Sequence, residues 1–160
     1  MSERAGFCDG EGSFKVSVKK NAKFKSGYQV RPDFSIALHR NDLSLLESIH
    51  SFFGVGKVYT INSRDEIYYR VGSLDEIVDV IIPHFLKFPL ISQKRADFEL
   101  FRSIVILMKN KQHLDKGKLG EIVSIKASLN KGLSDPLKKD FPIIIPVERP
   151  IVVACAHPKN

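Results

Sequence analysis

The sequence predicts an α+β fold: one four-stranded antiparallel sheet with helices on one face. Three observations lead there. Residues 13–21 and 28–39 alternate apolar and polar side chains with a period of two, and so do residues 57–62 and 66–71. Each pair is joined by a polar turn, "NAKFKSG" in the first and "SRD" in the second, so each reads as a hairpin. The segments between and after the hairpins carry helical periodicity instead.

Taken in order, residues 2–9 read as a short helix capped by Ser2. The glycine-rich stretch "GFCDGEGSF" follows, overlapping its end. In the first strand Phe14, Val16 and Val18 share one face, and Ser13, Lys15, Ser17 and Lys19 the other. In the second, Val30, Phe34, Ile36 and Leu38 oppose Gln29, Arg31, Asp33, Ser35, Ala37 and His39. "NDLSLLESIHSFF" is expected to be an amphipathic helix, opened by Asn41 or Asp42 and ended by Gly54. After the second hairpin, "SLDEIVDVIIPHFL" reads as a helix with Ser73 at its start, acids in its first turn and a disturbance at Pro83. Residues 94–110 form a long helix with Phe98, Phe101, Val105 and Met108 on its apolar side, and residues 118–130 another. The order has no repeat. Residues 1–140 are expected to form one nucleic-acid-binding domain and residues 141–160, rich in proline, an extended tail.

Composition narrows the function. The 160 residues suffice for one domain with a core. The net charge of +7 and pI near 9.4 favour a polyanionic partner, nucleic acid before a membrane surface. No apolar run approaches the roughly 18 residues of a membrane span. No signal peptide or Arg-rich transit helix is expected, because polar "SER" follows Met1. Cys8 and Cys155 form no CxxC pair, and the five histidines include no HExxH, which argues against a disulfide framework or a zinc site. The polar sheet face carries Lys15, Ser17, Lys19, Arg31, Ser35, Lys57, Tyr59, Tyr68 and Arg70. A basic, aromatic-bearing face of that kind suits groove binding; by itself the pattern also fits a solvated sheet face.

The opening stretch needs an explanation of its own. Its acids start like an EF-hand loop, but Phe14 stands where that loop needs glycine and Lys20 where it needs the closing Glu. A phosphate-cradling loop would not carry two acids. "AGFCDGEGSF" resembles the LAGLIDADG motif of homing endonucleases, whose fold has the order αββαββα. "LISQKRADFELF", "IVSIKASLNKGLSD" and "FPIIIPVERP" look like the middle and end of the N-terminal half of fungal-type double-motif members.

The resemblance implies a metal-dependent phosphodiester cleavage in which hard Mg²⁺ takes carboxylate oxygens. Glu11 corresponds to the metal-binding acid, and the carbonyl of Gly10 is a second ligand candidate. Lys94 in "SQKRAD" corresponds to a lysine beside the scissile phosphate. Gln93 and Arg95 flank it without an assigned role. Arg4, Ala5, Gly6 and Asp9 fall on the helix that meets a partner, where small residues let backbones approach. The implied partners are double-stranded DNA or structured RNA, and a second LAGLIDADG unit or a larger RNA–protein assembly, without a membrane. The implied location is a mitochondrion or other organelle, with the chain encoded there.

Three departures qualify the resemblance. There is one motif, where the active centre of the family uses two acids. Only "MSER" precedes Ala5, and Arg4 stands where the motif has Leu, so self-pairing is opposed and a monomer is expected. Leu38 falls where many active halves carry Gln, with His39 one residue on. An N-terminal half separated from its C-terminal half is expected. Two readings stay open: an endonuclease acting with a second motif, or an inactive fragment that binds RNA as a maturase or as a structural part of an assembly such as an organellar ribosome.

Overall fold

The computed structural model describes Cys8 and residues 10–153. Strands β1 (Gly12–Lys20), β2 (Tyr28–His39), β3 (Lys57–Ile61) and β4 (Glu66–Val71) form one antiparallel sheet in the order β1-β2-β4-β3. A 3-10 turn, Arg40–Asp42, leads into α1 (Leu43–Phe53), and Gly54 ends it in the left-handed conformation. Helix α2 runs through Leu74–Glu76, Ile77–Ile81 and Ile82–Lys87. Then come α3 (Lys94–Lys109), α4 (Lys116–Ala127) and the short α5 (Asp135–Asp140).

The alternation of the strands sets the layers. Phe14, Val16, Val18, Val30, Phe34, Ile36, Ile67, Tyr69 and Val71 are all buried on one side of the sheet. Phe14 is the centre of that layer. Its ring lies 5.2 Å from Phe34 across the strands, and 5.4 Å from Phe85 of α2 and from Phe98 and Phe101 of α3. One aromatic side chain therefore joins the sheet to both covering helices. Pro32 sits inside β2 without breaking it. Pairing of β2 with β4 begins only at Phe34, so the missing Pro32 N–H falls where β2 has a partner on one side only.

Several boundaries differ from the sequence reading. β1 starts at Gly12, one residue early. Gly12 lies so close to the preceding turn that a Cβ there would stand 2.8 Å from the Cys8 carbonyl oxygen. The disturbance expected at Pro83 is a π-helical segment, Ile77–Ile81, just before it. Wider turns relax the carbonyls that a proline ring would otherwise strike. Helix α4 starts at Lys116 rather than residue 118, because the Asp115 carboxylate accepts from the Gly117 N–H at 2.7 Å. Helix α5 had no counterpart in the sequence reading. It starts at Ser134 and Pro136, a cap residue and a proline at the first turn.

After a turn at residues 142–143, residues 144–153 form no helix or strand. Ser124 and Ser128, one turn apart at α4 and its end, donate their hydroxyls to the Ile145 and Val147 carbonyls, and the Val147 N–H donates to the Ser124 carbonyl. No helix among the described residues is long and apolar enough to cross a membrane.

Candidate nucleic-acid interface and acidic half-site

The register puts all nine expected binding residues on the face opposite the core. Lys15 stands opposite Asp33, Ser17 opposite Arg31, and Ser35 opposite Arg70. Lys57 pairs with Arg70, and Tyr59 with Tyr68. Lys57, Arg70, Ser35 and Ser13 thus make one row across all four strands. Lysines occupy the outer strands: Lys15 and Lys19 on β1, Lys57 on β3. Among the described residues none of the three has a carboxylate within ion-pair distance.

Four of the nine are engaged within the protein. The Arg70 Nε donates to Asp33 Oδ1 at 2.6 Å. Arg31 reaches the Gln29 side-chain oxygen through Nε and Nη2, at 3.0 and 2.9 Å, once that amide is oriented to accept. Tyr59 and Tyr68 stack on each other, rings 5.5 Å apart at 15°, and the Tyr68 hydroxyl donates to Glu66 at 2.6 Å. Each tyrosine thus spends one ring face on the other.

The acidic segment lies at the foot of β1. Gly10 and Glu11 are exposed and helical immediately before Gly12. Lys94, 84 residues away, reaches the Gly10 carbonyl with its Nζ at 3.4 Å. That distance is at the long limit of a hydrogen bond. A carbonyl has two lone pairs, so Gly10 can hold the ammonium and still face a cation. Of the two expected catalytic residues, Lys94 thus contacts Gly10, the residue next to Glu11. Arg4, Ala5, Gly6 and Asp9 lie outside the described residues.

What holds Lys94 there was not visible in the sequence. Asp97, one turn further along α3, accepts from Arg149 Nη1 at 2.7 Å and from the Asn130 N–H at 2.9 Å. Arg149 also donates to the Ser128 carbonyl at 3.1 Å and, through Nη2, to the Gln93 carbonyl at 3.0 Å. Asn130 Nδ2 donates to the Phe14 carbonyl of β1 at 2.6 Å. One hub thus ties the tail, the end of α4, the start of α3 and β1. Beside it a cleft of about 730 Å³ opens between β1 and residues 126–137, lined by Lys15, Lys19, Arg31, Lys126 and Lys131 among others. Burial pushes the Lys126 ammonium pKa down.

A family model described as LAGLIDADG endonuclease matches residues 5–105. The chain belongs to the LAGLIDADG endonuclease family. A probable intron-encoded endonuclease of Neurospora crassa is 42% identical over 149 residues, which are 92% of this chain and 28% of that protein. The homing endonuclease I-ApeII of Aeropyrum pernix is 33% identical over 105 residues, 65% of this chain and 61% of that protein. A relative 42% identical over 113 residues, 69% of this chain and 25% of that protein, is described as a protein in ND4 intron 1 of Podospora anserina. The LAGLIDADG homing endonuclease I-SmaMI, solved bound to cleaved DNA, superposes with a TM-score of 0.93 at 41% identity, over 98% of this chain and 52% of that one. It has also been solved on an uncleaved target in the presence of calcium ions. The chain spans about half the length of the solved LAGLIDADG structures and just over a quarter of the Neurospora crassa relative.

LAGLIDADG endonucleases are generally dependent on a divalent metal. The donors present fit such an ion in kind: the Glu11 carboxylate and the Gly10 carbonyl are hard oxygen ligands. They do not complete its shell, for among the described residues no three His, Cys, Asp or Glu side chains gather.

Proposed function

We propose that the chain is one half of a DNA-cleaving unit, acting with a second LAGLIDADG unit. The outward sheet face, Lys15, Ser17, Lys19, Arg31, Ser35, Lys57, Tyr59, Tyr68 and Arg70, enters the major groove, which admits a structure of sheet width and presents distinguishable base edges. Residues 1–140 form the binding domain, and the tail is its strap. Glu11 and Gly10 hold Mg²⁺, and Lys94 steadies the Gly10 carbonyl and adds positive charge beside the phosphate. A metal held there would supply water activation and stabilisation of the leaving oxygen. Arg4, Ala5, Gly6 and Asp9 lie on the helix that meets the second unit. The observation that carries this reading is the contact of Lys94 with Gly10, next to Glu11 and at the foot of the basic face. The endonuclease names of the relatives support DNA over RNA, and their intron origin supports an organelle, a mitochondrion first, as the setting.

Glu11→Gln tests it. The full chain is first used to enrich binding duplexes from a randomised pool. With Mg²⁺, the wild type should nick the enriched duplexes, alone or with a second unit supplied. Glu11→Gln should bind them as well and nick none. Enriched duplexes that the wild type never nicks in either setting would overturn the catalytic half of the proposal.

A further inference from the structure

The acid on the basic face raises a question. Asp33 is directed outward on β2, where a carboxylate would repel phosphate, yet it is retained among lysines and arginines. Its register partner is Lys15, but its hydrogen bond goes diagonally to Arg70 Nε, at 2.6 Å. The Asp33 side chain is only 16% exposed, whereas that of Arg70 is 48% exposed. The acid is therefore a fixed support beneath a more exposed guanidinium. The Asp33 hydrogen bond and charge raise the Arg70 pKa further, and the Tyr59 hydroxyl also favours its charged form.

Resting on the proposed binding of duplex DNA by this face, we infer that Asp33 aims Arg70 at a guanine, which makes Arg70 a base-reading residue and Asp33 its positioning residue. Three arguments favour a base over a phosphate. Arg70 lies on β4, an interior strand, whereas the unpaired lysines lie on the outer strands that flank the groove. An arginine paired with a carboxylate carries little net charge, which weakens attraction to phosphate and leaves hydrogen-bonding geometry as its asset. With Nε occupied by Asp33, the Nη1–Nη2 fork is the part of the guanidinium whose geometry matches the O6 and N7 acceptors of guanine. Lys57 and Ser35 flank Arg70 in the same row without any such support.

The test uses the full chain and a duplex pool randomised over about one helical turn, roughly 10 base pairs. Wild type, Arg70→Ala, Arg70→Lys, Asp33→Ala and the Arg70→Ala/Asp33→Ala pair are each used to enrich it. The wild-type selection should contain a guanine position that becomes degenerate with Arg70→Ala and is weakened with Arg70→Lys, whose ammonium lacks the planar fork, while neighbouring positions persist. Preference there should fall by roughly 5- to 150-fold, the range of a bidentate contact. Asp33→Ala should weaken preference at that same position and add nothing in the Arg70→Ala background. A 7-deazaguanine placed there, which lacks the N7 acceptor, should weaken binding by the wild type and not by Arg70→Ala.

An unchanged selected sequence with Arg70→Ala overturns the inference. So does a loss of salt dependence without a change of sequence, since that marks a phosphate contact. If the wild type enriches nothing, it is the duplex-binding reading that fails, and the inference falls with it.

Discussion

The hub around Arg149 allows a stability prediction with a worked magnitude. Arg149→Met keeps the apolar stem and removes three hydrogen bonds, to Asp97, Ser128 and Gln93. The Asp97 side chain, 14% exposed, is then left with the Asn130 N–H as its remaining donor. Breaking a fully buried pair costs about 3–5 kcal/mol. The Arg149 side chain is 35% exposed, so water recovers part of that, toward the limit of about 1 kcal/mol for surface pairs. A loss of about 2–3 kcal/mol follows from those two limits. For a chain of this size it lowers Tm by about 4–12 °C. Urea and thermal unfolding of Arg149→Met, Asp97→Asn and the double variant would measure it. The pair should couple by at least about 1 kcal/mol, and exchange of the Asn130 amide should accelerate. A loss under about 0.5 kcal/mol, or additive single effects, would show that the tail only rests on α4 and does not brace the start of α3.

Three further expectations can be checked alongside it. Gly12→Ala should destabilise by roughly 1–3 kcal/mol in urea unfolding, because its methyl would meet the Cys8 carbonyl oxygen at 2.8 Å; an unchanged midpoint would refute the close approach. Lys15→Ala with Lys19→Ala should flatten the log–log salt dependence of duplex binding by about 2 units, roughly 0.9 for each phosphate no longer neutralised; an unchanged slope would put the phosphates elsewhere. Lys20, and then the Tyr28 hydroxyl, hold the Asp140 carboxyl below its ordinary pKa of 3.8. The unfolded chain takes up that proton first as pH falls, so the stabilisation is complete above the ordinary value and is lost as pH drops through the lowered one. The stability difference between wild type and Asp140→Asn should accordingly close below about pH 4, and a difference that persists at about pH 2 would remove Asp140 from the account.

The sheet was legible because a strand writes its two faces into alternate residues. Phe14, Val16 and Val18 on one side and Lys15 and Lys19 on the other required no tertiary information. Tyr28–His39 and Glu66–Val71 were read with the bounds they have. The assignment of Gly10 and Lys94 to one catalytic site came from a family resemblance; no local pattern joins residues 84 positions apart. The partners of Arg70, Asp97 and Asn130 were invisible for the same reason. Asp33 read as one more polar residue, since alternation tells which face a side chain takes but not which neighbour it grips. The π segment ahead of Pro83 was out of reach because hydrophobic spacing hardly distinguishes it from an α-helix over five residues. Helix α5 is six residues long, too short for periodicity to register.

The position of β1 has a consequence for behaviour outside any complex. A nine-residue strand that, among the described residues, has a neighbour on one side only is a template on which a stray segment of another chain can lengthen the sheet. Asn130 occupies one of its carbonyls, and the turn that carries Asn130 lies over its flank together with Lys15, Lys19 and Lys131. Charge and cover are the devices that keep such a border from propagating. Lesions in residues 128–134 would therefore surface first as insoluble, fibre-prone protein, before any change in what the sheet face binds.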